Sequence, residues 1–285
     1  MKPSNNIDLN YFIALQNSKP ADSPDHSAQK WNRRAEFWKK ERDSSRKKDD
    51  RVHSALHFLK ERGILCPTYD VVDIGCGPGR FAAAFAEHVH SVLGLDLSEK
   101  MTAHGMEHIQ EKGLTNARIL TCDFQTLDID QAGYREAFDL VFSSMTPAIH
   151  GMNGLMKSME MSRAYCCNIT HIYGHNHLRK TGRWFYSLFN VLFLMGYYPE
   201  TSYENRHQEV RVTPDEQYAD FMLEHVLPQE ERSKKNSDKI LEWLKSHADP
   251  DGTLCEITDT CYGRILWDVR IRSERPDYHS MIQEV

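Results

Sequence analysis

Apolar positions along the chain follow two spacings. Short continuous apolar runs recur at DVVDIG (70–75), SVLGLDLS (91–98), ARILTCDF (117–124), FDLVFSSM (138–145) and RAYCCNITHI (163–172). Runs of this length bounded by turn residues predict strands buried on both faces. Between them, RFAAAFAEHV (80–89), SEKMTAHGMEHIQEKG (98–113) and GLMKSMEMS (154–162) carry the wider helical spacing, with Ser98 as an N-cap and Gly113 as a stop. WFYSLFNVLFLMG (184–196) reads as a long core helix, and VHSALHFLKERGI (52–64) as an amphipathic helix closed by Gly63. Strands alternating with helices predict an α/β fold, a parallel sheet covered on both faces.

The ends depart from that rhythm. Residues 1–30 read as a loose arm, and residues 31–51 as a charged helix on which Trp31, Ala35 and Trp38 share one stripe. Toward the C-terminus, TSYENRHQEVRV (201–212) and CEITDTCYGRILWDVRI (255–271) are strand-like without a crossover pattern, and the charged stretch 214–248 between them reads as two inserted helices. The expected architecture is a three-layer sandwich around a seven-stranded mixed sheet, its last two strands an antiparallel pair. The domain division expected is an arm at 1–51 and a main domain at 52–285.

Composition narrows the function classes. A net charge of −6 over 285 residues argues against a general nucleic-acid binder, which needs basic surface to displace counterions. No apolar run reaches the length of a membrane span. Seven cysteines without a CxxC pair suit free thiols in a reducing, cytoplasmic setting. The adjacent Cys166 and Cys167, inside an expected buried strand, read as small hydrophobes.

The chemistry starts at VVDIGCGPG (71–79). Gly75, Gly77 and Gly79 alternate, so the third glycine comes one place too early for the dinucleotide fingerprint GxGxxG. Asp73 lies two residues before the first glycine. A carboxylate there is unfavourable beside a pyrophosphate and suits a ligand with an ammonium group.

This stretch resembles motif I of the class I S-adenosylmethionine-dependent methyltransferases, a Rossmann-like family. LGLDLS, LTCDF and FDLVFSSM follow in the family's order. The resemblance implies that Asp73 meets the amino group of S-adenosylmethionine and that Gly75, Cys76, Gly77 and Gly79 pass its methionine half. It implies that Asp96 holds the ribose hydroxyls, with Leu97 and Met101 beside it. Asp123 and Phe124 would border adenine, and Ser143, Ser144 and Met145 would stand near the sulfonium. The N-terminal helix, through Trp31, looks like the lid of small-molecule methyltransferases, with an aromatic face for a cation–π contact.

The acceptor side is less explicit. SSMTPAIHG replaces the Asn/Asp-Pro-Pro-Tyr/Phe segment of DNA amino-methyltransferases, so a flipped DNA base is not the expected acceptor. Thr146 reads as pocket wall, and His150 as either a general base or a structural loop residue. His171 and His175 fall on the ligand-facing edge after the fifth strand. No acid or cysteine stands at a diagnostic spacing from them, so no metal is expected. The expected function is methyl transfer to an N, O or S atom of a small molecule, with an RNA or protein methyltransferase as the alternative acceptor class. A non-catalytic S-adenosylmethionine-binding subunit is the alternative outside catalysis.

Overall fold

The computed structural model describes residues 9–18, 27–44, 50–174, 183–226 and 231–273. Three helices precede the first strand: α1 (Leu9–Asn17), α2 (Ala28–Ser44) and α3 (Asp50–Glu61). An alternating series follows: β1 (Asp70–Ile74), α4 (Arg80–Ala86), β2 (Ser91–Asp96), α5 (Glu99–Glu111), β3 (Ala117–Thr121), β4 (Phe138–Ser144), α6 (Gly151–Met161) and β5 (Ser162–Gly174). The chain continues through α7 (Arg183–Leu194), β6 (Glu200–Val212), α8 (Glu216–Val226), α9 (Lys234–Ser246) and β7 (Leu254–Asp268).

The strands form one seven-stranded sheet in the order β3-β2-β1-β4-β5-β7-β6. β1 pairs in parallel with β2 and with β4, and the neighbouring pairs β2–β3 and β4–β5 are parallel too. β7 runs antiparallel to β5 and β6, so the sheet is mixed and its closing pair antiparallel, as the sequence pattern predicts. The order reverses between β1 and β4, and in such sheets ligands bind beyond the carboxyl ends of the strands at that switch point.

Val71, Val72, Asp73 and Ile74 are all buried, which explains why β1 reads as a continuous run instead of an alternation. Beside it, Phe81 and Phe85 of α4 pack on Phe142 of β4 with ring centroids 4.8 and 4.9 Å away, fixing the helix that follows the glycine turn.

At the opposite strand ends, Arg163 donates to both oxygens of Asp139 and to Asp70 Oδ2, each at 2.8 Å. Asp70 Oδ1 also accepts from Ser91 at 2.6 Å and sits 2.8 Å from His90 Nδ1. These carboxylates lie below their usual range, with bonds to Arg163 and to Ser91, His90 and the Asp70 amide outweighing partial burial. Replacing Arg163 with Ala is expected to cost about 1 kcal/mol, because the site is partly solvated. The loss shrinks at high salt in denaturant melts, and the carboxyl ends of the strands stay unaffected because the network lies at the opposite end.

The expected loose arm is not loose throughout. Residues 9–17 are helical as α1, because Phe12 and Gln16 are buried. Gln16 Nε2 donates to Ser187 Oγ at 2.8 Å, and Asn17 Oδ1 accepts from the Met152 amide at 3.0 Å, capping α6 from outside. These partners lie more than 130 residues away, out of reach of local sequence signals. α6 itself begins at Gly151, three residues before the expected start.

The chain divides into two compact units, one of residues 1–170, 184–202 and 264–285, the other of residues 171–183 and 203–263. The second unit holds α8 and α9, the two expected inserted helices. Within it Arg211 bonds Asp249, Asp251 and Thr253 at the turn that the sequence marks before β7.

Candidate active site

A cavity of about 410 Å3 opens beyond the carboxyl ends of β1, β2, β3 and β4, and every residue lining it belongs to the first unit. Its floor is the turn between β1 and α4, where Gly75, Gly77 and Gly79 all have positive φ (70°, 52° and 78°). The three glycines serve different ends. A Cβ on Gly75 would stand 1.9 Å from Thr146 Oγ1, so this position lets the loop after β4 press onto the turn. A Cβ on Gly79 would stand 2.8 Å from Ile119 Cδ1 and 3.1 Å from Gly105 Cα, a helix–strand packing role. Gly75 and Gly77 both line the cavity, and a Cβ on Gly77 would meet nothing within 4 Å, so its backbone is open to a ligand.

Two carboxylates stand over this turn. Asp96 Oδ2 accepts from the Gly77 amide at 2.8 Å, and Oδ1 accepts from the Ser98 amide at 2.9 Å. Burial raises its pKa, against the opposing pull of those two N–H groups. Asp73 is 1% exposed, and its Oδ2 is buried without a hydrogen-bond partner. Burial first, and then the Asp96 charge, push Asp73 up to about 8, while the Ala82 amide holds it down. An orphaned buried carboxylate oxygen facing a ligand cavity is the complement of a cationic donor.

The other walls come from the neighbouring strand ends. Leu97 and Met101 flank Asp96, and Cys122, Asp123 and Phe124 follow β3. Lys157 of α6 braces this second edge by donating to the carbonyls of Phe124 and Gln125, both at 2.9 Å. Burial raises the Cys76 and Cys122 thiols, so both cavity cysteines are thiols and not thiolates. Ser144, Met145 and Thr146 line the cavity, together with Pro147, Ala148 and His150, the N-cap residue of α6. Met145 has φ 53°, an unusual conformation for a non-glycine residue, and its amide is held by the Ile169 carbonyl at 2.9 Å. Trp31 of α2 lines the cavity with Arg34 stacked 5.8 Å from its ring centroid.

Some expected residues lie elsewhere. Gly79 packs under the turn, and Ser143 is buried on the other side of β4, accepting from Asn168 Nδ2 at 2.9 Å. Side chains alternate along a strand, so Ser143 and Ser144 cannot face the same way. His171 belongs to the second unit, where its ring lies 4.7 Å from that of Tyr262. His175 lies outside the described residues, and the Trp38 side chain is not described. Among the described residues, no group of three His, Cys, Asp or Glu could hold a metal ion. Cys166 and Cys167 are buried thiols, the latter pushed up to about 12 by burial.

The cavity also contains residues the sequence reading did not single out. Arg51 is at the start of α3, while Arg80 and Phe81 open α4. The position of Arg80 and Phe81 right after the turn was a usable signal, but Arg51 is hidden in the charged run RKKDDR.

Residues 71–162 match the family model of a methyltransferase domain. Over 78 residues the chain is 32% identical to the ubiquinone biosynthesis O-methyltransferase of Acinetobacter baumannii (strain AYE), covering 27% of this chain and 33% of that protein. The chain thus spans about a third of the length of the curated relatives it matches. It is also similar to the YcgJ protein of Bacillus subtilis (14% identity, 78% of this chain and 100% of that one, TM-score 0.49). Another similar structure is the magnesium protoporphyrin IX methyltransferase of Synechocystis PCC 6803 with bound S-adenosylmethionine (15% identity, 76% and 78% coverage, TM-score 0.41). Among the described residues no helix is long and apolar enough to cross a membrane.

Proposed function

We propose that the protein is an enzyme that transfers the methyl group of S-adenosylmethionine to an N, O or S atom of a small-molecule acceptor. The observation that carries this reading is Asp73 Oδ2, buried and unpartnered at the edge of the open Gly77 turn. The sulfonium of the bound cofactor supplies an already activated methyl group. What remains for the chain is to grip both partners, align them and keep water out.

In this reading Asp73 takes the cofactor's amino group, and Asp96, already oriented by two peptide N–H groups, accepts from the ribose hydroxyls. The cofactor carboxylate falls to the cavity's guanidinium side, Arg51 and Arg80. Phe124 and Cys122 border adenine. Met145, Thr146 and the Trp31 face of α2 meet the acceptor, with α2 as the lid. His150, on the same wall, is the general base where the acceptor needs to lose a proton.

The Asp73 environment predicts a pH signature. Its pKa is raised in the fold, so at pH 7 the unliganded protein carries the proton, and an arriving ammonium expels it. S-adenosylhomocysteine affinity is therefore expected to rise with pH up to about 8 and level off above it. Calorimetry at pH 7 in buffers of differing ionisation enthalpy should show proton release. The same shift makes the Asp73 contribution to unliganded stability full below the unfolded carboxylate range, near 4, and lost as pH climbs through about 8.

The function is tested by incubating the protein with methyl-labelled S-adenosylmethionine and a cell extract separated into small-molecule, RNA and protein fractions. Label in the small-molecule fraction supports the proposal. Label in RNA or protein moves the acceptor to the other class, and binding without any labelled product marks a non-catalytic subunit.

A further inference from the structure

We propose that Gln125 is a positioning residue that couples the adenine side of the cavity to the acceptor loop, so that filling the adenosine half of the site fixes the segment that meets the acceptor. The proposal rests on the functional reading above.

The two segments it joins have no sheet contact. The 122–125 segment follows β3 and the 145–150 segment follows β4, and β2 and β1 lie between those strands. Gln125 crosses this gap, with its side-chain Nε2 donating to the Ala148 carbonyl. Its amide is anchored on the adenine side, donating to Asp123 Oδ1 at 2.9 Å, while its carbonyl accepts from Lys157 Nζ at 2.9 Å, a main-chain tie to α6, the helix that follows the acceptor loop. The α6 surface makes room for the crossing, since a Cβ on Gly154 would stand 3.3 Å from Gln125 Nε2. Gln125 and Ala148 both line the cavity.

The receiving loop needs such a hold. Met145 sits at φ 53°, a conformation that persists only where its surroundings fix it. Thr146 fixes one end of the loop against Gly75, and Gln125 fixes the middle at Ala148. A ligand against Asp123 and Phe124 therefore bears on the strap that holds the acceptor loop. Coupling of this kind is reciprocal, so a fixed acceptor loop also favours the adenosine site.

Hydrogen exchange read by mass spectrometry on the full chain tests this without knowledge of the acceptor. The probes are S-adenosylhomocysteine, which fills the whole cofactor site, and adenosine, which fills its adenine and ribose half. In the wild type, both should slow exchange in the 145–150 segment, and S-adenosylhomocysteine should also slow it at 75–80. In Gln125→Leu the ligand-dependent slowing at 145–150 should fall about fivefold or more while that at 75–80 persists. Gln125→Glu, which keeps the length but loses the donor, should behave the same way. A purely structural role would instead speed exchange at 145–150 equally with and without ligand. Protection of the turn without protection of the loop in the wild type, or full loop protection in both variants, overturns the coupling. No protection at 75–80 in the wild type overturns the cofactor reading itself.

Discussion

Asp73→Asn is expected to weaken S-adenosylhomocysteine binding by about 100-fold or more. The estimate follows from the buried position: removing one partner of a buried ion pair costs about 3–5 kcal/mol, and each 1.36 kcal/mol is tenfold. Asn keeps the shape and can still accept from the Ala82 amide, so the turn itself should survive. Without its ligand the variant should be as stable as the wild type or more so. It removes a carboxylate whose ionisation is opposed by burial and by Asp96. The difference should grow as pH rises from about 4 to about 8 and level off above that, where the wild-type group has lost its proton. Loss of affinity together with a stable unliganded fold is a signature that a purely structural Asp73 would not give. Calorimetry and thermal melts of the two proteins at pH 6 and pH 9 check both halves.

Gly75→Ala and Gly77→Ala are expected to separate stability from binding. Both positions have positive φ, which costs an alanine about 1–2 kcal/mol. At Gly75 the added Cβ would also meet Thr146 Oγ1 at 1.9 Å, and forcing that contact apart adds about 1–3 kcal/mol. Gly75→Ala should therefore lose about 2–5 kcal/mol of stability, read from denaturant unfolding. At Gly77 nothing lies within 4 Å, so Gly77→Ala should pay the conformational term alone. Gly77 lines the cavity, so in the proposed reading a methyl group there crowds the bound cofactor, and the binding loss should exceed the stability loss. Equal stability losses at the two glycines would show that the turn is packed differently.

The contrast between these glycines marks where sequence reading reached its limit. The alternating spacing of Gly75, Gly77 and Gly79, together with Asp73, is local and distinguishes the ligand class without any tertiary knowledge. Which glycine admits a ligand and which admits a neighbouring loop depends on Thr146, some seventy residues away. The same divide appears in β4. Its apolar pattern places the strand, but only the pleat decides that Ser144 faces the cavity and Ser143 faces Asn168. The central strands β1, β2 and β4 were legible because they are buried on both faces and read as short apolar runs, whereas β3, read the same way from its sequence, is an edge strand in which only Ile119 is buried. α1 was not, since its helicity depends on Gln16 and Asn17 bonding residues of α7 and α6. Arg51 and Gln125 gave no local signal at all. One stands in a charged run and the other in a polar turn, and only the fold brings each to the cavity wall.

The central claim is that the cavity over Gly77 binds the methyl donor through Asp73 and Asp96. The most direct measurement is a calorimetric titration of the protein with S-adenosylhomocysteine at pH 8, with NAD as the comparison ligand. The account predicts saturable binding of S-adenosylhomocysteine at one site per chain, competed by S-adenosylmethionine and weakened about 100-fold or more in Asp73→Asn, with no heat from NAD. Saturable binding of NAD and none of S-adenosylhomocysteine would contradict it.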